Sequence, residues 1–390
     1  MSPPRSGSFG DLIHTVYSKH DYKMKEQTLP IIDADVHHAP DPAGIKKHMP
    51  RALAERGLIV PGAQGYRNPH GVDRRDAVPP GGGKPCSDPA YALEHHFEPN
   101  NIKYGILHPG GTLGVGVGAD YRLSAAICSG YNDYMLESWL SFDERFVGAL
   151  LVAPNWPEAA AKEIRRVGHR PEFREIIMTS ASESPFGNVR YWPIYEAASE
   201  VGLPVAFHPG AESNGIGNRS YAGTPSSYFE WHTSLSQNYM GQIASLVIEG
   251  VFNEFPSLNF IAVEGGFAWL PHLMWRLDKN WKALRETTPW LTEPPSEMIM
   301  RHVKMTTQPI EEPTKAEHLL QIFDMIDAPN TLMFSSDYPH WDGDDPRFVI
   351  PRKLGEEVRR KIFYDNAAEM YGLPKIEAQE SAEVATGEGN

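Results

Sequence analysis

The chain has 390 residues, of which 41% are hydrophobic, so it can bury one large core as a single barrel-sized domain or as two smaller domains. Its formal net charge of −14 argues against nucleic acid and against an anionic membrane surface as partners. The two cysteines cannot form a disulfide framework, the N-terminus shows no signal-peptide pattern, and no apolar run is long enough to span a bilayer. Together these features predict a cytoplasmic protein.

Both ends of the chain differ in composition from its middle. Residues 1–28 mix Ser, Gly, Lys and His without a sustained period, which predicts an N-terminal arm that wraps or frays. Residues 374–390 are acidic and rich in Ala, Glu and Gly, which predicts a disordered tail. Residues 61–85 are dense in Gly, Pro, Asn and Arg. Because core segments continue on both sides, we interpret them as a long irregular insertion that covers an active site.

Strand and helix patterns alternate along the rest of the chain. Apolar, β-rich segments predict strands at 31–36, 102–107, 146–152, 174–178, 203–207, 258–263, 302–306 and 331–335. Helical patterns lie at 43–56 and near 120–140, 156–168, 191–201, 234–254, 268–285, 314–326 and 354–371. Such an alternation indicates an α/β fold with a parallel sheet, and its length predicts a (β/α)8 TIM barrel over residues 29–373, distorted by the insertion after strand one.

The end of strand one carries a pattern typical of half a metal site. Asp35 and His37 are two residues apart, so their side chains leave the strand on the same face. Carboxylate oxygen and imidazole nitrogen both suit Zn, Fe or Mn. On its own, this segment could equally be a solvated strand end. His38 would face the opposite way, which indicates a bystander or an outer contact.

Catalytic groups in TIM barrels lie at the C-terminal ends of the strands, so the other strand ends test this idea. Strand five ends in His208, strand six is followed by Glu264, and strand eight is followed by Asp337. The convergence of these residues with the strand-one pair predicts a metal site. His108, at the end of strand two, and His340, just after strand eight, are predicted to contact the substrate.

Several motifs, taken together, indicate a family. The chain resembles the amidohydrolase-related branch of the amidohydrolase superfamily, the group that contains aminocarboxymuconate semialdehyde decarboxylase and γ-resorcylate decarboxylase. The resemblance covers about residues 29–373. It rests on Ile-Asp-x-Asp-x-His at 32–37, Gly-Leu-Pro-Val-x-x-His-Pro-Gly at 202–210, Glu-Gly-Gly-x-x-Trp-Leu-Pro at 264–271, Ser-Ser-Asp-Tyr-Pro-His at 335–340 and Asn-Ala-x-x-x-Tyr-Gly-Leu at 366–373.

The resemblance implies a TIM barrel that holds one divalent metal, with Zn expected and Fe or Mn as alternatives. The implied ligands are Asp35, His37, His208 and Asp337, and Asp337 would also shuttle a proton. Where decarboxylases of this family have a histidine after strand six, this chain has Glu264, which cannot donate a hydrogen bond while ionised. The resemblance also implies a homodimer or larger oligomer, and a heteromer remains an alternative.

Three functions stay open at this level. The leading hypothesis is hydrolysis or non-oxidative decarboxylation of a small carboxylated or amide-bearing substrate, with Glu264 as a base and His340 as a further catalytic group. The first alternative is a dinuclear Fe or Fe/Mn oxygenase whose second metal is held by Glu264 and His232. The second alternative is a non-catalytic metal-binding subunit of a heteromeric enzyme.

Two structural roles compete with these chemical ones. Glu264 could instead cap the helix that begins near Ala268 or pair with an arginine. His95 and His96 are expected on a helix before strand two, away from the mouth of the barrel.

Overall fold

The computed structural model describes residues 29–60, 68, 71–212 and 223–376, and these residues form a parallel barrel. Its eight strands are hydrogen-bonded in chain order, each to the next. The strands are β1 Ile31–His37, β2 Ile102–His108, β3 Phe146–Leu151, β4 Phe173–Thr179, β5 Val205–His208, β6 Phe260–Ala262, β7 Val303–Thr306 and β8 Leu332–Met333.

The barrel closes between its last and first strands, although β8 is only two residues long. The Ala34 amide donates to the Phe334 carbonyl at 2.9 Å, and Val36 forms a parallel bridge with Tyr338. The closed ring confirms the (β/α)8 TIM barrel predicted from the strand–helix alternation.

Helices surround the strands, as the apolar spacing predicted. In Pro157–Val167, the buried residues Ala160, Ala161, Ile164 and Val167 form one face toward the barrel. The α-helices are Pro42–Lys47, Arg51–Ala54, Pro89–Ala92, Tyr121–Glu137, Pro157–Val167, Trp192–Val201, Tyr228–Ser234, Ser236–Ile248, Val251–Glu254, Leu270–Leu284, Pro295–His302, Ala316–Met325, Ala328–Thr331, Glu356–Arg360 and Asn366–Tyr371. Leu93–Phe97 and Lys361–Asp365 are π-helical turns.

Two long predicted helices are interrupted. The helix predicted over 43–56 is two short helices, because Pro50 cannot donate a backbone hydrogen bond and disfavours a helical conformation at the preceding residue. The helix predicted over 234–254 breaks at Gly250, which adopts a left-handed conformation with φ 79°.

The described part of the insertion lies against the loop that follows β8. The Arg74 amide donates to the Pro339 carbonyl at 2.8 Å, and the Trp341 amide donates to the Val72 carbonyl at 3.0 Å. This contact places residues 71–78 beside the C-terminal face of the barrel; that the insertion covers an active site stays a prediction. The predicted arm (1–28), most of the predicted tail (377–390) and residues 61–67 and 69–70 of the insertion lie outside the described residues. Within the described ranges, no helix is both long and apolar enough to cross a bilayer.

Candidate metal centre

Five acidic and histidine side chains converge at the C-terminal end of the barrel. Each offers one oxygen or nitrogen atom, and these atoms all lie within 4.8 Å of one another. The five residues are Asp35 and His37 of β1, His208 of β5, Glu264 after β6 and Asp337 after β8. The structure therefore brings together the predicted metal ligands and adds Glu264 to them.

His37 lies at the middle of this cluster. Its Nε2 atom is 3.1 Å from Asp35 Oδ1 and 3.1 Å from Asp337 Oδ1. It is also 3.1 Å from Nε2 of His208, which lies 3.0 Å from Glu264 Oε2. Potential ligand atoms thus face one another at close range in a buried space.

Backbone geometry directs two of the carboxylates into the cluster. Glu264 and Asp337 have φ values of 56° and 57°, in the left-handed region that non-glycine residues rarely adopt. The Glu264 amide donates to Thr306 Oγ1 at 3.0 Å, and the Asp337 amide donates to the Asp35 carbonyl at 3.1 Å. Unfavourable backbone conformations held in place by such bonds are concentrated at functional sites.

The hydrogen bonds around the cluster fit a bound cation. The Nδ1 atom of His208 donates to the Pro209 carbonyl at 2.7 Å, which in the neutral ring leaves the Nε2 lone pair facing the cluster. Among the described residues, Asp35 Oδ2 is buried without a hydrogen-bond partner. Carboxylates accept but do not donate, so several lone pairs point at one space. Carboxylate and imidazole ligands in such an arrangement suit Zn, Mn or Fe.

The pKa values of the acidic groups differ because their neighbours differ. Burial acts to raise the pKa of Asp35, but His37, His108 and His208 hold it well below its usual value. Burial likewise opposes ionisation of Asp337, and His340 beside it holds its pKa low.

Glu264 departs from this pattern. Burial and the nearby negative charge of Asp337 raise the pKa of Glu264 above its usual value, although His208 partly offsets them. Glu264 therefore retains a proton at higher pH than an exposed glutamate does.

His340 lies directly behind the cluster. Its ring stacks on that of His37 with centroids 4.2 Å apart, and its Nδ1 lies 2.6 Å from Asp337 Oδ1. Burial acts against the charged ring, but Asp337, Glu264 and Asp73 raise the pKa of His340 to about 10. Gln308 supports the same carboxylate from another side by donating to Asp337 Oδ2 at 3.1 Å.

His232 lies beside Glu264 on the outer side of the cluster. Its Nε2 atom is 3.8 Å from Glu264 Oε1 and 3.2 Å from Asp342 Oδ2. Glu264 therefore faces His208 through one oxygen and His232 through the other. This is the pair of residues predicted for a second metal, with Asp342 as an additional neighbour.

The position of His108 differs from the predicted substrate contact. His108 is fully buried, with Nδ1 2.7 Å from Asp35 Oδ1 and Nε2 2.6 Å from Glu175 Oε1. The ligand-type atoms of His108, Asp35, His37 and His208 do lie within 4.8 Å of one another. Since both of its ring nitrogens face carboxylate oxygens, however, we assign His108 to the support of Asp35.

The contacts of Glu264 and of the other candidate histidines bear on their competing roles. Glu264 does not cap the helix predicted to begin near Ala268, which spans Leu270–Leu284 and has no side-chain hydrogen bond at its cap residue Trp269. Glu311 Oε1 accepts from the Phe267 and Ala268 amides of the preceding turn at 2.8 and 2.7 Å. His38 packs against Trp139 with ring centroids 5.0 Å apart, away from the cluster.

His96 is closer to the site than predicted. Its Nε2 lies 2.9 Å from Asp33 Oδ2, and the same oxygen accepts from the Ser336 hydroxyl at 2.6 Å. Because Ser336 precedes Asp337, this network fixes the loop that carries a predicted ligand. His95 contacts the same loop, with Nδ1 3.0 Å from the Tyr338 hydroxyl.

Three residues of the site were not predicted from the sequence. Gln308 lies two residues after β7, but an amide is not a typical metal ligand, and Asp342 lies nine residues beyond the end of β8. Glu175 could have been found, because an acidic residue within the apolar strand Phe173–Thr179 is unusual.

The fold and the cluster define a TIM barrel with a candidate metal centre at its C-terminal face. A profile of the amidohydrolase family matches residues 32–373, and the chain belongs to this family. The γ-resorcylate decarboxylase of Rhodococcus jostii (strain RHA1) is 24% identical over 268 residues, which cover 63% of this chain and 76% of that protein.

Solved structures show the same fold. The 5-carboxyvanillate decarboxylase of Sphingomonas paucimobilis superposes with a TM-score of 0.63 at 20% identity, over 89% of this chain and 100% of that chain. The 5-carboxyvanillate decarboxylase of Novosphingobium aromaticivorans, crystallised with manganese, superposes with a TM-score of 0.65 at 19% identity, over 89% of this chain and 97% of that chain.

Proposed function

We propose that this protein is a metal-dependent carboxy-lyase that removes CO2 from a small carboxylated aromatic substrate without oxidation. The observation that carries the proposal is the buried cluster of Asp35, His37, His208, Glu264 and Asp337 at the mouth of the barrel. Membership of the amidohydrolase family and the decarboxylase activity named for its relatives support the same reaction class.

In this proposal, Asp35, His37, His208 and Asp337 hold one divalent cation. Manganese in a structural relative makes Mn a candidate beside Zn. The bound cation supplies Lewis acidity toward a substrate oxygen. The chain's own residues position these ligands and exclude water from them, since Asp35 and Asp337 are fully buried.

Decarboxylation breaks a carbon–carbon bond, releases CO2 and requires a proton at the carbon that loses the carboxylate. Glu264 is suited to carry that proton because burial and the charge of Asp337 raise its pKa. His340, paired with Asp337, is the second group that we assign to proton movement. The same Glu264, once ionised, would serve as the general base in hydrolysis of an amide, which keeps hydrolysis as a variant of this proposal.

A second candidate function rests on the contacts of His232. Its Nε2 lies 3.8 Å from Glu264 Oε1 and 3.2 Å from Asp342 Oδ2, so a second group of ligand types adjoins the first. Two Fe or Mn ions held across Glu264 would fit an oxygenase that hydroxylates its substrate.

Assembly and location complete the proposal. We infer a cytoplasmic homodimer or larger oligomer, in which the exposed Trp275 (61% exposed) of the helix Leu270–Leu284 would pack against a second copy. Sedimentation of the purified chain tests this state. A monomer that turns over substrate alone would argue against both the oligomer and the non-catalytic subunit of a heteromeric enzyme.

Metal analysis of protein purified without added metal separates the two candidate functions. About one divalent ion per chain, with CO2 released in the absence of dioxygen, supports the carboxy-lyase. Two Fe or Mn ions per chain that are lost in both Glu264→Ala and His232→Ala support the oxygenase. His318→Ala, on the exposed side of the helix Ala316–Met325, is the matched control and should change neither metal content nor turnover.

Asp337→Asn tests the site as a whole. Asparagine tolerates the left-handed backbone of this position, so the variant removes charge with little change in shape. We expect loss of metal and of turnover. Unchanged metal content and turnover would show that the cluster is not the metal centre.

A further inference from the structure

A buried chain of side chains runs from the metal cluster into the interior of the barrel. Asp35 Oδ1 contacts His108 Nδ1 at 2.7 Å, His108 Nε2 contacts Glu175 Oε1 at 2.6 Å, and Glu175 Oε2 accepts from the Tyr371 hydroxyl at 3.0 Å. Asp35, His108 and Glu175 are fully buried, and Tyr371 is 2% exposed. These four residues are the Asp35 relay.

The relay connects four separate parts of the fold. Asp35 and His108 come from β1 and β2, which pair with His37 opposite His108. Glu175 is the third residue of β4, four positions before the end of the strand, so it lies inside the barrel and not at its mouth. Tyr371 ends the helix Asn366–Tyr371, which follows the whole barrel in sequence.

Ionisable side chains such as those of His108 and Glu175 are rarely fully buried in a barrel core unless they have partners. A buried charge without a partner costs several kcal/mol, and apolar residues would fill this space at no such cost. Both nitrogens of His108 and both oxygens of Glu175 have hydrogen-bond partners within the relay, and the relay ends at the Asp35 carboxylate. The arrangement therefore serves the carboxylate at its end.

The relay also fixes the orientation of the Asp35 carboxylate. Oδ1 contacts His108 Nδ1 and lies 3.1 Å from His37 Nε2, whereas Oδ2 is buried without a hydrogen-bond partner among the described residues and lies 3.5 Å from His208 Nε2. A carboxylate anchored through one oxygen presents the other in a fixed direction. Groups that orient ligands in this way are typical supports of metal sites.

We propose that His108 and Glu175 are positioning residues that fix the Asp35 carboxylate for cation binding, and that His108 is not itself a ligand. This inference rests on the metal centre proposed above. It makes separate predictions for the two ends of the His108 ring, because Asn and Gln place an amide nitrogen near the positions of Nδ1 and Nε2, respectively.

The test is a titration of the metal-free full-length protein with Mn²⁺, in which free Mn²⁺ is measured by its electron paramagnetic resonance signal. His108→Asn keeps a donor toward Asp35 but loses the contact with Glu175, so its Kd should rise by no more than the roughly tenfold expected when Glu175 is altered. His108→Gln keeps the contact with Glu175 but loses the one with Asp35, so its Kd should rise by roughly 10- to 100-fold.

Two further variants keep the test sharp. Glu175→Gln preserves the size of the side chain and an acceptor for His108 but removes the charge, so its Kd for Mn²⁺ should rise by roughly tenfold. This variant tests the relay independently should His108→Gln fail to fold. Tyr371→Phe removes the last hydroxyl of the relay. Tyr195→Phe is its matched control, since it removes a buried hydroxyl that donates to the Phe186 carbonyl outside the relay. Thermal unfolding of each metal-free variant reports folding independently.

The outcomes separate the inference from the function on which it rests. If the unmodified protein binds no Mn²⁺ and no other divalent ion, both the metal centre and the relay are wrong. If it binds Mn²⁺ and folded His108→Gln and Glu175→Gln bind equally well, only the relay is wrong. Equal loss of binding in His108→Asn and His108→Gln would identify His108 as a ligand and overturn the inference.

Discussion

Glu264→Gln is the substitution that most directly probes the chemistry of the site. It keeps the size of a side chain that is only 8% exposed and removes its negative charge. Glu264 Oε2 lies 3.0 Å from His208 Nε2. At an effective dielectric constant of about 20, a carboxylate and a unit positive charge about 4 Å apart interact by about 4 kcal/mol, which we take as the upper bound on the electrostatic effect.

The expected effects on binding and on turnover differ in size. Loss of one anionic neighbour should raise the Kd for Mn²⁺ by roughly 10- to 100-fold, or about 1.4–2.8 kcal/mol, well within that bound. If Glu264 also carries the proton of the reaction, turnover of the metal-saturated variant should fall by a further ~10²–10⁴-fold. Saturating metal therefore separates the two roles.

The assay follows the loss of substrate absorbance and the release of CO2 with 2,6-dihydroxybenzoate and 5-carboxyvanillate as probes, the acids named for structural relatives. Glu311→Gln is the matched control. Glu311 is also a glutamate whose pKa is raised by burial, but it binds the Phe267 amide in a turn outside the cluster. A Glu264→Gln protein with unchanged Kd and turnover, or a fully active Glu264→His protein, would refute the assigned role of the carboxylate.

Two further predictions concern stability. His302 is neutral in the fold: its Nδ1 lies 3.0 Å from the Leu258 carbonyl, Arg301 Nε donates to its Nε2 at 3.2 Å, and burial lowers its pKa. As the pH falls, the His302 imidazole is protonated in the unfolded chain before it is protonated in the folded protein. The free energy of unfolding should therefore fall as the pH drops below about 6.5, and urea unfolding of His302→Asn should show a shallower dependence on acid pH. Gly187→Ala should destabilise by about 1–3 kcal/mol, because a Cβ would collide with the Ser245 carbonyl; an unchanged midpoint would contradict this packing.

The barrel was predictable because its signals are local and repeated. Each strand is a short apolar segment between helical patterns, and β4, predicted at 174–178, spans Phe173–Thr179. Helix boundaries were harder to predict where a single residue ends a helix within a longer apolar pattern. Pro50 and Gly250 each interrupt a helix that apolar spacing alone would continue.

The candidate site was predictable where its residues lie at strand ends or a few residues beyond them, as Glu264 and Asp337 do. His37 and His208 are the last residues of β1 and β5, so the alternation of strand side chains and the polarity of the barrel identify them. His108 is likewise the last residue of its strand, but its Nε2 contacts Glu175 of β4, a strand that is distant in sequence. A pattern of residues along the chain carries no information about such partners.

The contacts around the cluster explain why Glu264 differs from the other carboxylates. His108 contacts Asp35 at 2.7 Å, and His340 contacts Asp337 at 2.6 Å. Glu264 has no such supporting histidine: in the part of the chain that the structure describes, the imidazole nearest to it, 3.0 Å away, belongs to His208, itself a proposed ligand.

Burial and the negative charge of Asp337 raise the pKa of Glu264, and His208 offsets them only in part, so its negative charge is less compensated than those of Asp35 and Asp337. A carboxylate in this position can lower its energy in two ways: by keeping a proton or by binding a further cation. Proton retention suits the delivery of a proton to carbon in decarboxylation. Cation binding would recruit His232, 3.8 Å away, and lead to the dinuclear alternative. Both proposed functions thus arise from one electrostatic property of a single residue.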